Sequence, residues 1–300
     1  MKVTRTKIED RVSQPRLVIQ VILCLVAFAA NSVFCRQALM EGQIDPESFT
    51  MIRLLSGGLF LLMLTKIRNS RLTVGGSWKG GLFLFVYAYL FSIAYVQLGA
   101  GMGALILFGA VQVTMFIFSW VQGERFHKRM VIGMLIASSG LFMLLLPGTS
   151  SPPWDGALLM TISGVAWGAY SLLGNGAANP LAQTTGNFVR CLPFMLILGT
   201  AMLYGNALQI SAPGVMYALA SGVLASGCGY ALWYSTIKHI SSQQAATLQL
   251  SVPIIASLGG ILVLNEPISL HLLLISGIVL GGVAMALLPK RERSESGQKQ

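Results

Sequence analysis

The feature that most constrains this chain is a series of ten apolar runs separated by short polar connections. Each run is about as long as the roughly 20 residues that a helix needs to cross a bilayer. Only 10% of the residues are charged, whereas soluble domains carry roughly 25% because their surfaces must be hydrated. Thirty charged side chains are too few to cover a soluble fold of 300 residues. The sequence therefore predicts an all-α membrane protein with ten transmembrane helices.

The predicted spans follow the apolar runs and are joined by connections that contain the turn formers Gly, Pro and Ser. They cover residues 17–36, 47–65, 80–98, 103–121, 130–147, 156–175, 184–204, 213–236, 243–264 and 270–288. Gly99, Gly101 and Gly103 supply the turn signal between the third and fourth spans, and this boundary is the least sharply defined.

Basic residues predict the direction in which the spans cross the membrane. With the N-terminus in the cytoplasm, 17 of the 20 Lys and Arg residues fall on the inner side, whereas Arg36 falls outside. Cytoplasmic loops of membrane proteins carry such an excess. We therefore predict a multi-pass protein of the cell membrane, in a bacterial inner membrane, with both termini cytoplasmic. The net charge of +10 is spread over short clusters at span ends, which favours contact with anionic lipid and excludes a nucleic-acid partner.

A cleaved signal peptide is the alternative interpretation of the first span. Basic residues precede an apolar core, and Ala27-Phe28-Ala29 resembles a cleavage site. Cleavage would leave nine spans and would break the internal repeat described next.

The two halves of the chain resemble each other. A displacement of 142 residues aligns 94–147 with 236–289 without a gap and pairs Glu124 with Glu266. Each half has five predicted spans, and because five is odd the second half enters the membrane from the opposite side. We therefore predict two inverted five-helix repeats, an architecture that transporters use for alternating access. A duplication that only builds a stable bundle is the alternative.

Several short motifs carry a family resemblance. They are Tyr230-Ala-Leu-Trp233-Tyr234, Pro253, Asn265-Glu266-Pro267 and, in the first half, Gly123-Glu124-Arg125. With the two five-helix halves, they resemble the drug/metabolite transporter superfamily, and specifically its EamA type, over residues 17–289. Arg53 and Arg190 match an arginine common in the second helix of each half of that family. The resemblance implies a small-molecule transporter, often an exporter.

One position departs from that family pattern. The proline expected midway along the fourth span is Val111 here, whereas its counterpart Pro253 is present. We therefore expect the two halves to flex unequally.

Repeat and resemblance together divide the chain into five parts. They are a basic cytoplasmic tail (1–16), a first EamA-like repeat (17–147), an outer linker (148–155), a second EamA-like repeat (156–289) and a basic cytoplasmic tail (290–300).

Polar and aromatic side chains within the spans are candidates for lining a substrate cavity, because polar groups at that depth are costly unless they serve a purpose. The candidates are Asn31, Tyr87, Tyr95, Gln112, Trp167, Tyr170, Tyr230, Trp233, Tyr234 and Gln249. Tyr230, Trp233 and Tyr234 share one helix face. The alternative is a packing surface in which Tyr hydroxyls bond neighbouring carbonyl groups.

Charged residues near the span ends, together with the proline of the ninth span, are candidates for gating or structural roles. They are Arg53, Glu124, Arg190, Pro253 and Glu266. The arginines could bind an anionic group, pair with a carboxylate, extend to the headgroups or bind carbonyl groups at a helix end. Glu124 and Glu266 precede the fifth and tenth spans, and we expect each to cap the helix that follows it.

The predicted function is secondary transport of a small metabolite or drug-like molecule, directed outward, with no catalytic residues, metal or cofactor. His127, His239 and His271 lack ligand spacing, and the sequence contains no phosphate-binding loop. A membrane-embedded enzyme or lipid-handling protein without transport activity, or a scaffold, is the alternative. The pairs Gly164–Gly168 and Gly277–Gly281 suit close helix packing, within the chain or in a homodimer.

The orientation predicts which loops an impermeant thiol reagent reaches in intact cells. In a background without native cysteines, cysteine at positions 150 and 206 should be labelled, and cysteine at positions 69 and 127 should be protected. Labelling at position 69 without labelling at position 150 would reverse the predicted topology.

Overall fold

A computed structural model of the protein describes residues 14–68, 74–123, 128–145, 152–203, 208–267 and 270–287. Over these ranges the regular secondary structure is helical, apart from one antiparallel bridge between Ile44 and Ile210. The α-helices are α1 (Gln14–Leu39), α2 (Pro46–Arg68), α3 (Trp78–Tyr95), α4 (Ala100–Val121), α5 (Lys128–Leu145), α6 (Trp154–Gly174), α7 (Pro180–Arg190), α8 (Leu192–Leu203), α9 (Ala212–Ala220), α10 (Gly229–Ile237), α11 (Ser242–Gln249), α12 (Val252–Leu264) and α13 (Leu270–Leu287). A π-helical stretch, Ser221–Cys228, joins α9 to α10 and is called the π segment.

Eight helical stretches of the described chain are long and apolar enough to cross a membrane. They are Pro15–Leu39, Pro46–Arg68, Trp78–Tyr95, Ala100–Val121, Trp154–Gly174, Pro180–Met202, Ala212–Ile237 and Ser242–Leu264. The fifth and tenth predicted spans fall on α5 and α13, which have 18 residues each. The glycine-rich boundary differs from the prediction, because α3 ends at Tyr95 and α4 begins at Ala100.

Polar residues cap the N-terminal ends of several of these helices by bonding free backbone N–H groups. The Ser77 side chain accepts from Gly80 N at 3.0 Å, and Asn179 Oδ1 accepts from Ala182 N at 3.1 Å. Ser241 and Gln244 form a reciprocal capping box at the start of α11. Such caps place the helix ends at defined positions because the first N–H groups of a helix lack partners within it.

Two predicted spans are interrupted next to a proline. The seventh consists of α7 and α8, which meet at Cys191 just before Pro193. The ninth consists of α11 and α12, separated by a turn just before Pro253. Proline lacks the N–H that would continue the helix, and its ring clashes with the carbonyl group four residues earlier. The counterpart of Pro253 is Val111, and α4 runs through it without interruption.

Helices from the two matched halves are interleaved. The first helix of the chain, α1, packs against α9, the π segment, α10 and α12, whereas α6 packs against α3 and α4. The helices α5 and α13 pack extensively against each other. Most buried apolar residues form one continuous core cluster between these helices.

Glycine permits the closest contact between α5 and α13. A Cβ atom built on Gly133 would lie 2.4 Å from the carbonyl oxygen of Gly282, and one built on Gly282 would lie 2.4 Å from the carbonyl oxygen of Gly133. Small residues let helix backbones approach in this way. The predicted small pair Gly164–Gly168 lies against α4 within the chain.

Some predicted features lie outside the described residues. They are Glu124, residues 1–13 and 290–300 of the tails, residues 148–151 of the linker, and the four positions of the labelling experiment.

The contact between Gly133 and Gly282 predicts a specific loss of stability. We expect Gly133→Ala to lower the free energy of unfolding by about 1–3 kcal/mol, since an added methyl group overpacks the contact. The measurement is the midpoint of thermal unfolding of the purified protein in detergent. Gly277→Ala on α13 is the matched control, because no described atom lies within 4 Å of its Cβ position. Equal stability of the two variants would contradict the close contact.

Candidate functional site

The buried guanidinium group of Arg53 is the centre of the candidate site. Arg53 lies on α2 and is 0% exposed. Its Nε donates to Ser226 Oγ at 3.0 Å, and its Nη2 donates to the hydroxyls of Tyr87 at 3.0 Å and Tyr230 at 2.6 Å. The guanidinium carbon lies 5.2 Å from the ring centroid of Tyr87 and 5.0 Å from that of Phe91. The charge is therefore surrounded by hydroxyl groups and aromatic faces.

A network of hydrogen bonds extends from Arg53 to α1. The Tyr230 hydroxyl donates to the Tyr87 hydroxyl at 3.0 Å, and Asn31 Nδ2 donates to the same Tyr87 oxygen at 3.1 Å. Asn31 Oδ1 accepts from Ser221 Oγ of the π segment at 2.6 Å. The network connects α1, α2 and α3 with the π segment and α10, and we call these six residues the Arg53 cluster: Asn31, Arg53, Tyr87, Ser221, Ser226 and Tyr230.

An aromatic layer covers one side of the Arg53 cluster. The ring of Trp167 on α6 lies 4.6 Å from that of Tyr230 and 4.8 Å from that of Tyr87, measured between centroids. Phe28 on α1 contacts Trp167 at 5.3 Å and Trp233 at 5.4 Å, both edge to face. This geometry is favourable for aromatic pairs and makes the layer densely packed.

Each tryptophan of the layer has a hydrogen-bond acceptor on another helix. Trp167 Nε1 donates to Gln249 Oε1 at 2.7 Å, and Trp233 Nε1 donates to Ser171 Oγ at 3.3 Å. The Tyr234 hydroxyl donates to the carbonyl oxygen of Tyr170 at 2.8 Å. These bonds hold the rings in fixed orientations.

All ten predicted cavity residues are inaccessible in the structure. None is more than 3% exposed. Eight of them belong to the Arg53 cluster or to the tryptophan and tyrosine contacts beside it, whereas Tyr95 and Gln112 lie elsewhere. The Tyr95 hydroxyl donates to the carbonyl oxygen of Ala100 at 3.2 Å, and Gln112 Nε2 has no partner among the described residues. The described side chains are thus packed together and do not surround an open space.

An open pocket of about 600 Å³ lies beside this packed region. Phe60 of α2 and Cys228 of the π segment are among its lining residues, and Cys228 is two residues along the chain from Ser226. Arg68 and Lys238 lie at the C-terminal ends of α2 and α10 and form its rim. The pocket therefore connects a basic end of the bundle with the neighbourhood of the Arg53 cluster.

Arg190 has a different environment from Arg53, although the two were matched in the sequence. Its Nη1 donates to the carbonyl oxygens of Gly75 and Gly186. Backbone carbonyl groups thus bind this guanidinium group and tie the end of α7 to the segment before α3.

Glu266 was expected to cap the helix that follows it, and among the described residues it bonds a different helix, α4. Residues 268 and 269, just before α13, lie outside the described ranges, so the cap of α13 stays a prediction. The carboxylate oxygens of Glu266 accept from the backbone N–H of Ala100, the first residue of α4, at 3.0 and 3.1 Å. Glu266 Oε1 also lies 3.5 Å from Nε of Arg36, whose Nη1 donates to the carbonyl oxygen of Tyr95 at 3.0 Å. The contact with α4 arises because Asn265 adopts a left-handed conformation with φ of 53°, which turns the chain back at the end of α12.

Sequence analysis missed four residues of this region. They are Phe28, Ser221, Ser226 and the ion-pair partner Arg36. The serines lie in the glycine- and serine-rich stretch 221–229, a composition that could have indicated a close helix approach. Of the described residues, no three His, Cys, Asp or Glu side chains lie close enough together to hold a metal ion.

Comparison with known proteins decides the family. The model of the EamA-like transporter family matches residues 16–146 and again residues 154–288. The chain belongs to the EamA-like transporter family. The resemblance inferred from the sequence motifs is thereby confirmed, and the apolar helices are those of a multi-pass membrane transporter.

Relatives and a solved structure agree with this assignment. An uncharacterized protein of Pseudomonas aeruginosa is 48% identical over 93% of this chain and 97% of its own length. A probable amino-acid metabolite efflux pump of Escherichia coli is 19% identical over 60% of this chain and 64% of its own length. A protein of known crystal structure has the same fold, with a TM-score of 0.69 over 92% of this chain and 99% of its own, at 20% identity.

The contacts of Glu266 predict its contribution to stability. We expect Glu266→Ala to lower the free energy of unfolding by about 1–3 kcal/mol, because it removes the ion pair with Arg36 and leaves the Ala100 N–H without its acceptor. Thermal unfolding in detergent measures the change. Glu41→Ala is the control, since Glu41 is exposed and accepts only from Gln43 at 3.0 Å among the described residues. A loss in Glu266→Ala no larger than in Glu41→Ala would show that the carboxylate contributes nothing.

Proposed function

We propose that this EamA-family protein exports a small metabolite or drug-like molecule across a bacterial cell membrane by alternating access. The observation that carries the proposal is the Arg53 cluster, a buried polar network between the two matched halves. Polar groups are retained inside a membrane bundle mainly where a substrate or ion passes. The packed state described above is, in this proposal, the occluded state of the transport cycle.

The helix arrangement supports two inverted five-helix repeats. The family model matches the chain twice, and α1 to α5 fall in the first match. The first helix of the first half packs on the third and fourth spans of the second half, and α6 packs reciprocally on α3 and α4. Such reciprocity is expected when a pseudo-twofold axis relates the halves.

The ninth span is interrupted but its matched helix α4 is not, and this difference affects how far each half can bend during transport. The turn before Pro253 gives the ninth span a bending point, whereas α4 has none at Val111. In this proposal the second half supplies more of the movement between the two open states. Helix motion of this kind concentrates where backbone hydrogen bonds are missing.

Two observations support outward transport. The pocket beside the cluster extends to the basic ends of α2 and α10, which lie on the cytoplasmic side in the topology predicted from the charge distribution. The relative from Escherichia coli is described as a probable efflux pump. A cytoplasmic opening in the resting protein would admit substrate from the inside. Both chain termini then lie in the cytoplasm.

Counterflow in liposomes tests the proposal. Purified protein is reconstituted into vesicles preloaded with one unlabelled metabolite at a time, and entry of the labelled compound is measured against protein-free vesicles. We expect saturable exchange for at least one chemical class. A folded protein that exchanges nothing across a broad panel of metabolites and drug-like cations and anions would contradict transport.

The aromatic layer predicts how transport responds to mutation. We expect Trp233→Ala and Tyr87→Ala each to weaken apparent substrate affinity by about 1–3 kcal/mol, the range for an aromatic contact with a bound molecule. Counterflow at several substrate concentrations provides the measurement. Trp154→Ala is the matched control because Trp154 is 78% exposed. Unchanged affinity in both layer variants would assign the rings to packing alone.

A further inference from the structure

We propose that the Arg53 cluster binds a carboxylate, so that the substrate is a small organic anion with one negative charge and an apolar body. The bound molecule is a substrate only if the proposed transport function holds, but the binding site itself does not depend on transport. Three independent features of the cluster support it: its charge, its hydrogen-bond donors and its access pocket.

The charge on Arg53 has no counter-ion in the described structure. Arg36 and Glu266 form the ion pair found among the described residues, and no carboxylate lies within 4.0 Å of Arg53. A buried guanidinium group without an anion is strongly unfavourable, because it has lost its hydration and gained only neutral partners. The cluster therefore has an unmet requirement for negative charge.

Hydrogen-bond donors also exceed acceptors in the cluster. Every side chain that accepts from Arg53 does so through a hydroxyl oxygen, and each hydroxyl group brings a proton of its own. The oxygen of Tyr87 receives donors from Asn31, Arg53 and Tyr230, although a hydroxyl oxygen has two lone pairs. Arg53 Nη1 is buried and has no partner among the described residues. The missing component is an acceptor that brings no proton, and a carboxylate is such a group.

The geometry around Arg53 favours a carboxylate with an apolar body. A guanidinium group presents its donors as a planar fork that matches the two oxygens of a carboxylate. Apolar and aromatic rings surround the fork, with Phe91 5.0 Å from the guanidinium carbon and Trp167 4.8 Å from the Tyr87 ring. A phosphate or dicarboxylate would carry a second charge into this apolar environment, where a single arginine cannot balance it.

The pocket beside the cluster is positively charged, which suits the entry of an anion. Its rim carries Arg68 and Lys238, and its lining includes no acidic residue among those described. Basic rims raise the local concentration of anions. The pocket also reaches Cys228, two residues along the chain from Ser226, which bonds Arg53. An anion attracted by Arg68 and Lys238 is thus brought to the segment that carries this partner of Arg53.

Arg190 supplies an internal comparison. It occupies the matched position in the second half, but the carbonyl oxygens of Gly75 and Gly186 accept its hydrogen bonds. Nη1 of Arg190 thus bonds backbone carbonyl groups, whereas Nη1 of Arg53 has no partner among the described residues. The inference therefore assigns anion binding to Arg53 alone.

A binding experiment on the intact protein tests the assignment. The probes are benzoate and hexanoate, each compared with its neutral primary amide of the same shape, benzamide and hexanamide. Binding to protein in lipid nanodiscs is followed by the quenching of tryptophan fluorescence and by the shift in thermal unfolding. We expect at least one carboxylate to bind about tenfold or more tightly than its amide, because charge-assisted hydrogen bonds are stronger than neutral ones.

Two variants separate binding from structure. Arg53→Met removes the charge at similar length, and we expect it to abolish the preference for carboxylate over amide. Tyr87→Phe should weaken that preference, whereas Tyr89→Phe should leave it unchanged, because the Tyr89 hydroxyl donates to Glu47 outside the cluster. Without ligand, Arg53→Met should unfold at the same or a higher temperature than the parent, whereas Arg190→Met should unfold at a lower one.

The outcomes are distinct. Equal binding of carboxylates and amides, or a carboxylate preference that persists in folded Arg53→Met, would overturn the inference. So would binding of no carboxylate together with a lowered unfolding temperature in Arg53→Met, which would make Arg53 a structural residue like Arg190. Carboxylates that bind through Arg53 but do not exchange in counterflow would support the site and count against the proposed transport.

Discussion

The structure depends most on the placement of one positive charge, that of Arg53, inside a bundle surrounded by hydrocarbon. Water is excluded from this position, so hydroxyl groups and aromatic faces must take over its hydration. These groups come from three other parts of the chain, namely α3, the π segment and α10, and Asn31 of α1 bonds one of them, Tyr87. The position of Arg53 thereby brings elements of both matched halves to one point.

Helices could be predicted well from the sequence because the length and apolar content of a spanning segment are set by the bilayer. The positions at which spanning helices are interrupted could not be predicted equally well. The seventh span is divided before Pro193, and the π segment has no proline to mark it. Its irregular bonding coincides with a close approach to α2, where a Cβ on Gly222 would lie 2.4 Å from the carbonyl oxygen of Arg53. Such an adjustment follows from packing between distant segments, which local sequence does not encode.

Many residues of the candidate site could be predicted from the sequence, but the contacts between them could not. Helical spacing correctly placed Tyr230, Trp233 and Tyr234 on one buried face. Pairings such as Trp167 with Gln249 depend on which helices are neighbours, and no spacing in the sequence specifies that. The bond from Glu266 to α4 could not be predicted for the same reason, since a carboxylate serves whichever free N–H groups lie nearest in space.

The partners of Glu266 have a consequence for the order of assembly during synthesis. Arg36 and Ala100 are made early, but the carboxylate that bonds both follows 166 residues after Ala100. The first helices must therefore reside in the membrane with an unpaired arginine and an uncapped α4 while the second half is still being translated. The ion pair with Arg36 and the cap of α4 therefore form only after the ninth span has been made.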